Sequence, residues 1–127
     1  MDFKKLANQY RDELLDNVLP FWLEHSQDGE YGGYFSCLDR EGKVFDTDKF
    51  IWLQGREVWM FSMLYNKVEK RQEWLDCAVQ GGEFLKKYGH DGNYNWYFSL
   101  DRSGRPLVEP YNIFSYTFAT MAFGQLS

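Results

Sequence analysis

The pattern of hydrophobic and polar positions predicts two kinds of helix. In residues 2–25, apolar side chains recur every three or four positions, which is typical of an amphipathic helix with one buried stripe. Residues 71–88 show the same pattern, and Gly89 follows as a C-terminal cap. In residues 50–65, eleven of the sixteen side chains are apolar or aromatic and cover the whole circumference. Such a helix is buried on all sides, and the stretch from Asn112 to the end repeats this pattern.

Two segments between these helices predict β-hairpins, near residues 34–45 and 97–108. The first contains Tyr-Phe-Ser-Cys-Leu-Asp-Arg-Glu-Gly, and the second contains the nearly identical Tyr-Phe-Ser-Leu-Asp-Arg-Ser-Gly. Aromatic and β-branched residues flank each turn. Gly42 and Gly104, which are 62 residues apart, suit the left-handed position of a short loop.

Local signals refine the helix boundaries. Pro20 lies inside the first helical pattern and is expected to kink or divide that helix. The segment Asp46 to Asp48 precedes the all-apolar helix and is expected to supply its N-cap. Gly81 and Gly82 weaken the helix of residues 71–88 by about 1 kcal/mol each, which predicts close helix packing there.

The elements form a repeated unit of amphipathic helix, hairpin and all-apolar helix, about 62 residues long. Similar turns could select similar residues by chance, but the flanking helices repeat as well. A unit of this kind buries its inner helix only against neighbouring units, as in solenoids and closed rings. We therefore predict a mainly α fold: an incomplete (α/α)6 barrel with two outer/inner helix pairs and two hairpin insertions. Residues 1–127 would be the N-terminal portion of one barrel domain, and six units would need about 372 residues.

Charge and cysteine content exclude several classes of function. The net charge is −5 and the basic residues are scattered, whereas nucleic-acid binding needs a basic patch. Polar residues at Gln54, Arg56 and Glu57 interrupt the most apolar helix well before the ~20 apolar residues of a membrane span. Cys37 and Cys77 have no metal-binding spacing, and the N-terminus has no apolar leader. These features predict a cytoplasmic protein with reduced thiols and no metal.

The aromatic content suggests where a ligand could bind. Aromatic residues form 20% of the chain, which implies either a very large core or an aromatic-lined cavity. Trp52 and Arg56 lie four apart on one face of the first inner helix, and Tyr111 and Asn112 begin the second. Both pairs are expected at the same mouth of the barrel, where aromatic faces with a few polar groups would suit a sugar. The alternative, that Arg56 pairs with a core carboxylate and Trp52 only packs, stays open at this point.

A resemblance to a known family adds to this interpretation. The segment Lys49-Phe50-Ile51-Trp52-Leu53-Gln54-Gly55-Arg56-Glu57-Val58-Trp59-Met60 resembles the signature of the N-acylglucosamine 2-epimerases, also called renin-binding proteins. The similarity runs over nearly the whole chain, and its other matching segments are residues 32–35, 38–42, 81–85, 102–106 and 112–115.

The resemblance implies an (α/α)6 barrel and an isomerase that interconverts N-acetylglucosamine and N-acetylmannosamine. Two histidines would transfer the proton at C2, and Arg56 would be a catalytic residue that stabilises charge at O1. Trp52, Tyr111 and Asn112 would line the substrate cavity. The catalytic histidines are expected beyond residue 127, so this chain alone is expected to be inactive. His25 and His90 are expected to be capping or surface residues instead.

The family also implies that no cofactor is required. Some members are activated by ATP, but nothing in this sequence locates an ATP site, and a homodimer is compatible with the resemblance. Two alternatives stay open. One is a cellobiose 2-epimerase or an aldose–ketose isomerase, although these usually lack the Leu-Gln-Gly before the arginine. The other is a non-catalytic module that binds a sugar or another protein.

Overall fold

The computed structural model describes all 127 residues, and helices make up most of the chain. The helical elements are α1 (Phe3–Glu13), a π-helical turn (Leu14–Val18), α2 (Leu19–His25), α3 (Ile51–Lys67), α4 (Gln72–Tyr88) and α5 (Phe114–Leu126). The strands are β1 (Cys37–Leu38), β2 (Val44–Asp46), β3 (Lys49–Phe50), β4 (Ser99–Leu100) and β5 (Pro106–Val108). None of the helices combines the length and the apolar run needed to cross a membrane.

The first predicted helix is divided at the position that Pro20 suggested. Asp2 caps α1, because its carboxylate accepts hydrogen bonds from the amides of Lys4 and Lys5 at 3.1 Å. The π-helical turn lies directly before α2, in which Pro20 is one of the first residues. Proline has no N–H to donate to the carbonyl of Asp16, so a wider turn at this point loses little.

Both predicted hairpins are confirmed, and they repeat each other residue by residue. Strands β1 and β2 pair antiparallel with Cys37 opposite Asp46, and β4 and β5 pair with Ser99 opposite Val108. Each pair contains a register shift at its first residue. The turns contain Gly42 at φ +85° and Gly104 at φ +99°, the left-handed conformation that favours glycine.

The start of α3 differs from the prediction that Asp46 to Asp48 cap this helix. No side chain caps α3, whose N-cap residue is Phe50, and the amide of Asp48 instead donates to the carboxylate of Asp46 at 2.7 Å. Strand β3, which the sequence did not predict, pairs antiparallel with β4. The amide of Ile51 donates to the carbonyl of Phe98 at 3.0 Å. The sheet therefore takes over the role of a cap, and it joins the first inner helix to the second hairpin.

Helix α3 packs against both α4 and α5. Helices α3 and α5 run parallel, because Gly55 contacts Phe118 near their starts and the Asn66 side chain donates to the carbonyl of Gln125 near their ends. The expected close packing at Gly81 and Gly82 is also present. A side chain at Gly82 would collide with Leu126 of α5, and one at Gly81 would collide with the ring of Tyr34 in the loop after α2.

The prediction that α3 is buried on all sides is wrong for this chain. Its buried residues are Ile51, Gln54, Gly55, Val58, Phe61, Ser62 and Leu64. The other apolar side chains of α3 are only partly buried, because α4 and α5 cover part of its circumference. Helix α5 is also bare on one side, because it has no further helix pair to pack against: only Ser115, Ala119 and Ala122 are buried, and Phe114 is 59% exposed.

We expect Gly55→Ala to destabilise the protein. The new Cβ would lie 2.8 Å from the carbonyl oxygen of Phe118, so the two helix backbones would have to separate. Overpacking of this kind costs about 1–3 kcal/mol, which exceeds the gain in helix propensity of about 1 kcal/mol. Gly29→Ala is the control, because this exposed loop position has no neighbour within 4 Å of an added Cβ. Denaturant unfolding measures the free energy of unfolding of both variants. Equal values for Gly55→Ala and Gly29→Ala would contradict the packing argument.

Candidate functional site

Several residues of the segment 49–60 have structural roles. Gln54 is fully buried, and its side chain bonds both the amide and the carbonyl of Tyr34 at 2.8 Å. Gly55 allows α5 to approach, and Val58 lies in the core. The hydroxyl of Tyr34 donates to the carbonyl of Cys77 at 2.7 Å, which extends the contact to α4. These residues hold α3 against its neighbours.

Arg56 differs from these residues because it is exposed and forms no hydrogen bond or ion pair within the chain. The alternative that Arg56 pairs with a core carboxylate therefore finds no such partner within residues 1–127. Arg56 lines a groove of about 340 Å³ between the first helical segment and α3, together with Trp22, Leu53, Trp59 and Met60. Its guanidinium is free to bind an external group.

Trp52 lies one helical turn before Arg56 and is partly buried. Its ring centroid is 5.9 Å from that of Phe118 on α5, at a tilt of 52°. Trp52 therefore packs between the two inner helices while part of its surface remains accessible. This position satisfies a packing role and leaves a surface that a ligand could contact.

Tyr111 and Asn112 lie at the start of α5. Tyr111 is 68% exposed, and its ring centroid is 4.8 Å from that of Phe98. The Asn112 Oδ1 accepts a hydrogen bond from the amide of Phe114 at 3.0 Å, which leaves its side-chain nitrogen free to donate. Both residues line a shallow pocket that is separate from the groove at Arg56. A single cavity containing all four predicted residues stays a prediction.

Glu57 is a neighbour of Arg56 that the sequence analysis did not assign. The hydroxyl of Ser26 donates to its Oε1 at 2.5 Å, which links α3 to the end of α2. Burial raises the pKa of Glu57 to about 8, and the hydrogen bond from Ser26 acts in the opposite direction. A carboxylate inside an otherwise apolar helix was the signal in the sequence that could have identified this residue.

A buried ion cluster that the sequence did not predict is formed by Asp28, Lys49 and Arg102. The Lys49 Nζ lies 2.8 Å from Asp28 Oδ2, and both side chains are fully buried. The Arg102 Nε lies 3.0 Å from the same oxygen. Burial alone would raise the pKa of Asp28, but hydrogen bonds from Arg102, Lys49 and two backbone amides outweigh it and hold the pKa below its usual range.

The two histidines have local contacts, as expected. The ring of His25 packs against the turn at Gly42, and its centroid is 5.0 Å from that of Phe21. The Nδ1 of His90 accepts a hydrogen bond from the amide of Gly92 at 3.0 Å. No group of three or more His, Cys, Asp and Glu residues is arranged to hold a metal ion, and both cysteines are free thiols.

The chain is similar to known proteins over most of its length. The family model described as N-acylglucosamine 2-epimerase matches residues 33–127. The N-acylglucosamine 2-epimerase of Mus musculus is 48% identical over 119 residues, and the match covers 91% of this chain and 28% of that protein. The corresponding Homo sapiens enzyme is 47% identical over 116 residues, with 88% of this chain and 27% of the enzyme covered.

A solved structure extends the comparison to the fold. The cellobiose 2-epimerase of Bacillus thermoamylovorans B4167 superposes with a TM-score of 0.87 at 29% identity, over 97% of this chain and 32% of that one. The chain therefore has the fold of one part of an (α/α)6 barrel. It spans about 28% of the length of the mouse relative.

We expect a pH dependence of stability that comes from Glu57. Its pKa is 4.5 in the unfolded chain and about 8 in the folded one, so the folded state binds an extra proton between these values. The free energy of unfolding should therefore fall as the pH rises through this window, by up to about 1.4 kcal/mol per pH unit. Glu57→Gln keeps an acceptor for Ser26 and removes the ionisation, so this part of the slope should disappear. The test is to measure the free energy of unfolding of the unmutated protein and of Glu57→Gln at about pH 5.5 and about pH 7.5. An equal change between these pH values in both proteins would contradict the prediction.

Proposed function

Because the chain belongs to the N-acylglucosamine 2-epimerase family, we propose that the protein containing it interconverts N-acetylglucosamine and N-acetylmannosamine. The level of identity supports this substrate class. The chain is 48% identical to the mouse N-acylglucosamine 2-epimerase and 29% identical to the cellobiose 2-epimerase of similar fold. The enzyme would be a cytoplasmic isomerase of amino-sugar metabolism that requires no cofactor. Activation by ATP and homodimer formation are further expectations from family membership.

The observation that carries the proposal is the absence of a structural partner for Arg56. Its neighbours in the signature segment clamp the loop at Tyr34, admit α5 or fill the core. Arg56 alone presents a charged group that the chain itself does not use. A guanidinium with its five N–H donors unpaired is suited to an external oxygen that carries negative charge.

The proposed reaction moves the proton on C2 of the open-chain sugar. A base removes this proton from one face, and an acid returns a proton to the other face, which inverts the configuration. Negative charge develops on O1 in between, and Arg56 would stabilise it through charge-assisted hydrogen bonds. The base and the acid would be two histidines outside residues 1–127.

The remaining predicted residues would orient the sugar. The exposed ring of Tyr111 and the accessible part of Trp52 offer apolar faces for the C–H patches of a sugar. The side-chain nitrogen of Asn112 can donate to a hydroxyl while its oxygen caps α5. These contacts would bind the ground state and the transition state alike, so they would act mainly on KM.

We expect Arg56→Ala in the full-length protein to lower kcat by about 10²–10³, as for the loss of one oxyanion donor. Its KM should change less, because the lost interaction forms mainly in the transition state. The melting temperature should stay the same, since no group within residues 1–127 pairs with Arg56. Arg56→Lys should restore only part of kcat, because an ammonium lacks the planar pair of donors.

Arg40→Ala is the matched control for this experiment. Arg40 is an exposed arginine in the turn of the first hairpin and likewise has no ion pair. Its replacement should leave kcat, KM and melting unchanged. A lowered melting temperature for Arg56→Ala, with kcat per folded molecule at the wild-type level, would instead make Arg56 a structural residue.

We expect residues 1–127 alone to have no epimerase activity. Loss of a general base and of a general acid typically removes 10²–10⁴-fold each, and the proposed histidine pair lies outside this stretch. The test is the formation of N-acetylmannosamine from N-acetylglucosamine by the purified 127-residue chain, with the full-length protein as the positive control. Turnover at the full-length rate would show that the catalytic groups lie within these residues.

A further inference from the structure

In the buried ion cluster of Asp28, Lys49 and Arg102, the polar atoms of the two fully buried side chains, Asp28 and Lys49, are all hydrogen-bonded. All three N–H donors of Lys49 have a partner: Asp28 Oδ2 at 2.8 Å, the carbonyl of Gly32 at 2.7 Å and the carbonyl of Arg102 at 2.8 Å. Asp28 Oδ1 also accepts from the backbone amides of Glu30 and Tyr31. Because every donor of the buried Lys49 ammonium is satisfied, the cluster has one geometry: any displacement would leave a buried charge without a partner.

Arg102 closes this cluster at the protein surface. It holds Asp28 with two parallel hydrogen bonds, Nε to Oδ2 at 3.0 Å and Nη2 to Oδ1 at 3.1 Å. Its guanidinium lies 5.2 Å from the ring centroids of Tyr31 and Phe35, and the side chain is 37% exposed. The carboxylate of Asp28 is therefore separated from solvent by the Arg102 side chain.

The cluster joins three segments that are distant in the chain. Asp28 belongs to the loop after α2, Lys49 belongs to β3, and Arg102 lies in the turn between β4 and β5. A buried ion pair often stabilises a fold no more than apolar residues of equal volume would. What it provides beyond apolar packing is a fixed relative position, here between the first inner helix and the second hairpin.

Because β3 leads directly into α3, fixing β3 also fixes the first turns of α3. Lys49 precedes the helix by two residues, and the helix has no side-chain cap that would fix its start independently. The pairing of Lys49 with Leu100 therefore sets the position of Trp52 in the first turn and of Arg56 in the second.

The same strand pairing reaches Tyr111. Phe98 directly precedes β4 and is held to the sheet, because its amide donates to the carbonyl of Val108 at 3.0 Å. Its ring centroid is 5.7 Å from that of Phe50 and 4.8 Å from that of Tyr111. The rings thus form a continuous row of edge-to-face and tilted contacts from the start of α3 to the segment that precedes α5.

We propose that the buried ion cluster positions the reacting groups: by fixing β3 against the second hairpin, it sets the relative placement of Arg56 and Tyr111 around the substrate. Asp28, Lys49 and Arg102 are positioning residues, and none of them touches the substrate. The inference rests on the proposed function. It goes beyond a role in stability: a change in the geometry of this cluster should lower catalysis even at temperatures at which the protein remains folded.

The test uses Arg102→Ala in the full-length protein, with kcat and KM measured well below its melting temperature. We expect kcat to fall about 10- to 100-fold, the scale of a small misplacement of catalytic groups. Because Arg102 is 37% exposed, its removal opens a solvent-accessible space against Asp28. Millimolar guanidinium ion should bind there and restore part of kcat, whereas the same concentration of sodium ion should not.

Arg40→Ala is the matched control, because Arg40 occupies the position 62 residues earlier in the first hairpin but has no ion pair. Its kcat should be unchanged and insensitive to guanidinium. If Arg102→Ala proves too unstable, Arg102→Lys replaces it: it keeps the charge and loses the paired hydrogen bonds, and we again expect a lowered kcat.

Two results would overturn the inference in different ways. Wild-type kcat and KM in Arg102→Ala or Arg102→Lys below the melting temperature, even with lowered stability, would mean that the cluster only holds the fold. An unmutated protein that does not interconvert the two amino sugars would overturn the proposed function, and this inference with it. Only the first result leaves the proposed function standing.

Discussion

Lys49 can be fully buried only because each of its three N–H groups has an oxygen to bond. An unpaired ammonium in the interior would cost several kcal/mol, so the segments that supply these oxygens must be in place together. They come from the loop after α2 and from the turn of the second hairpin. The first repeat unit therefore completes its core only with a residue of the second, and the two units form one cooperative structure.

The same loop is held from two further sides. Gln54 of α3 bonds both backbone groups of Tyr34, and Gln80 of α4 bonds both backbone groups of Gly33. Two side-chain amides thus add to the short antiparallel bridge between Gln27 and Tyr34, which is the only strand pairing of this stretch. Gly32 and Gly33 have φ of +82° and +73°, which is why a Gly-Gly pair occurs here. The similarity of this loop to the N-acylglucosamine 2-epimerases therefore reflects structural requirements. The residue that is free to contact a substrate, Arg56, lies outside this loop.

Much of the fold could be predicted from sequence because its signals are local. The hairpin turns depend on Gly42 and Gly104, and the division of the first helix depends on Pro20, so each prediction needed only a few adjacent residues. Strand β3 was missed because two residues carry no periodicity and its partner strand lies in the second unit. The ion cluster was missed for the same reason, since Lys49 is 21 residues from Asp28 and 53 from the carbonyl of Arg102.

The errors at the site have a different cause. An all-apolar pattern indicates that every face of a helix can be buried, but it does not say which neighbouring elements this chain supplies to bury them. The pattern predicted burial on every side of α3, yet Arg56 on this helix is exposed, and the sheet takes the place of the side-chain cap predicted for α3. Glu57 shows that the pattern still carried information: a carboxylate in such a helix needed an explanation, and the structure supplies one in Ser26.

The signature segment can now be divided by what each residue contacts. Gln54 hydrogen-bonds the loop at Tyr34, Gly55 contacts α5, and Val58 packs in the core. Arg56 lies among them on the same helix and forms no hydrogen bond or ion pair with the loop, with α5 or with the core. Arg56 is exposed on a helix whose start is tightly packed, and no contact within residues 1–127 pairs its charge. The group that does so must come from outside these residues, and an oxygen carrying negative charge is the partner that a guanidinium fits best.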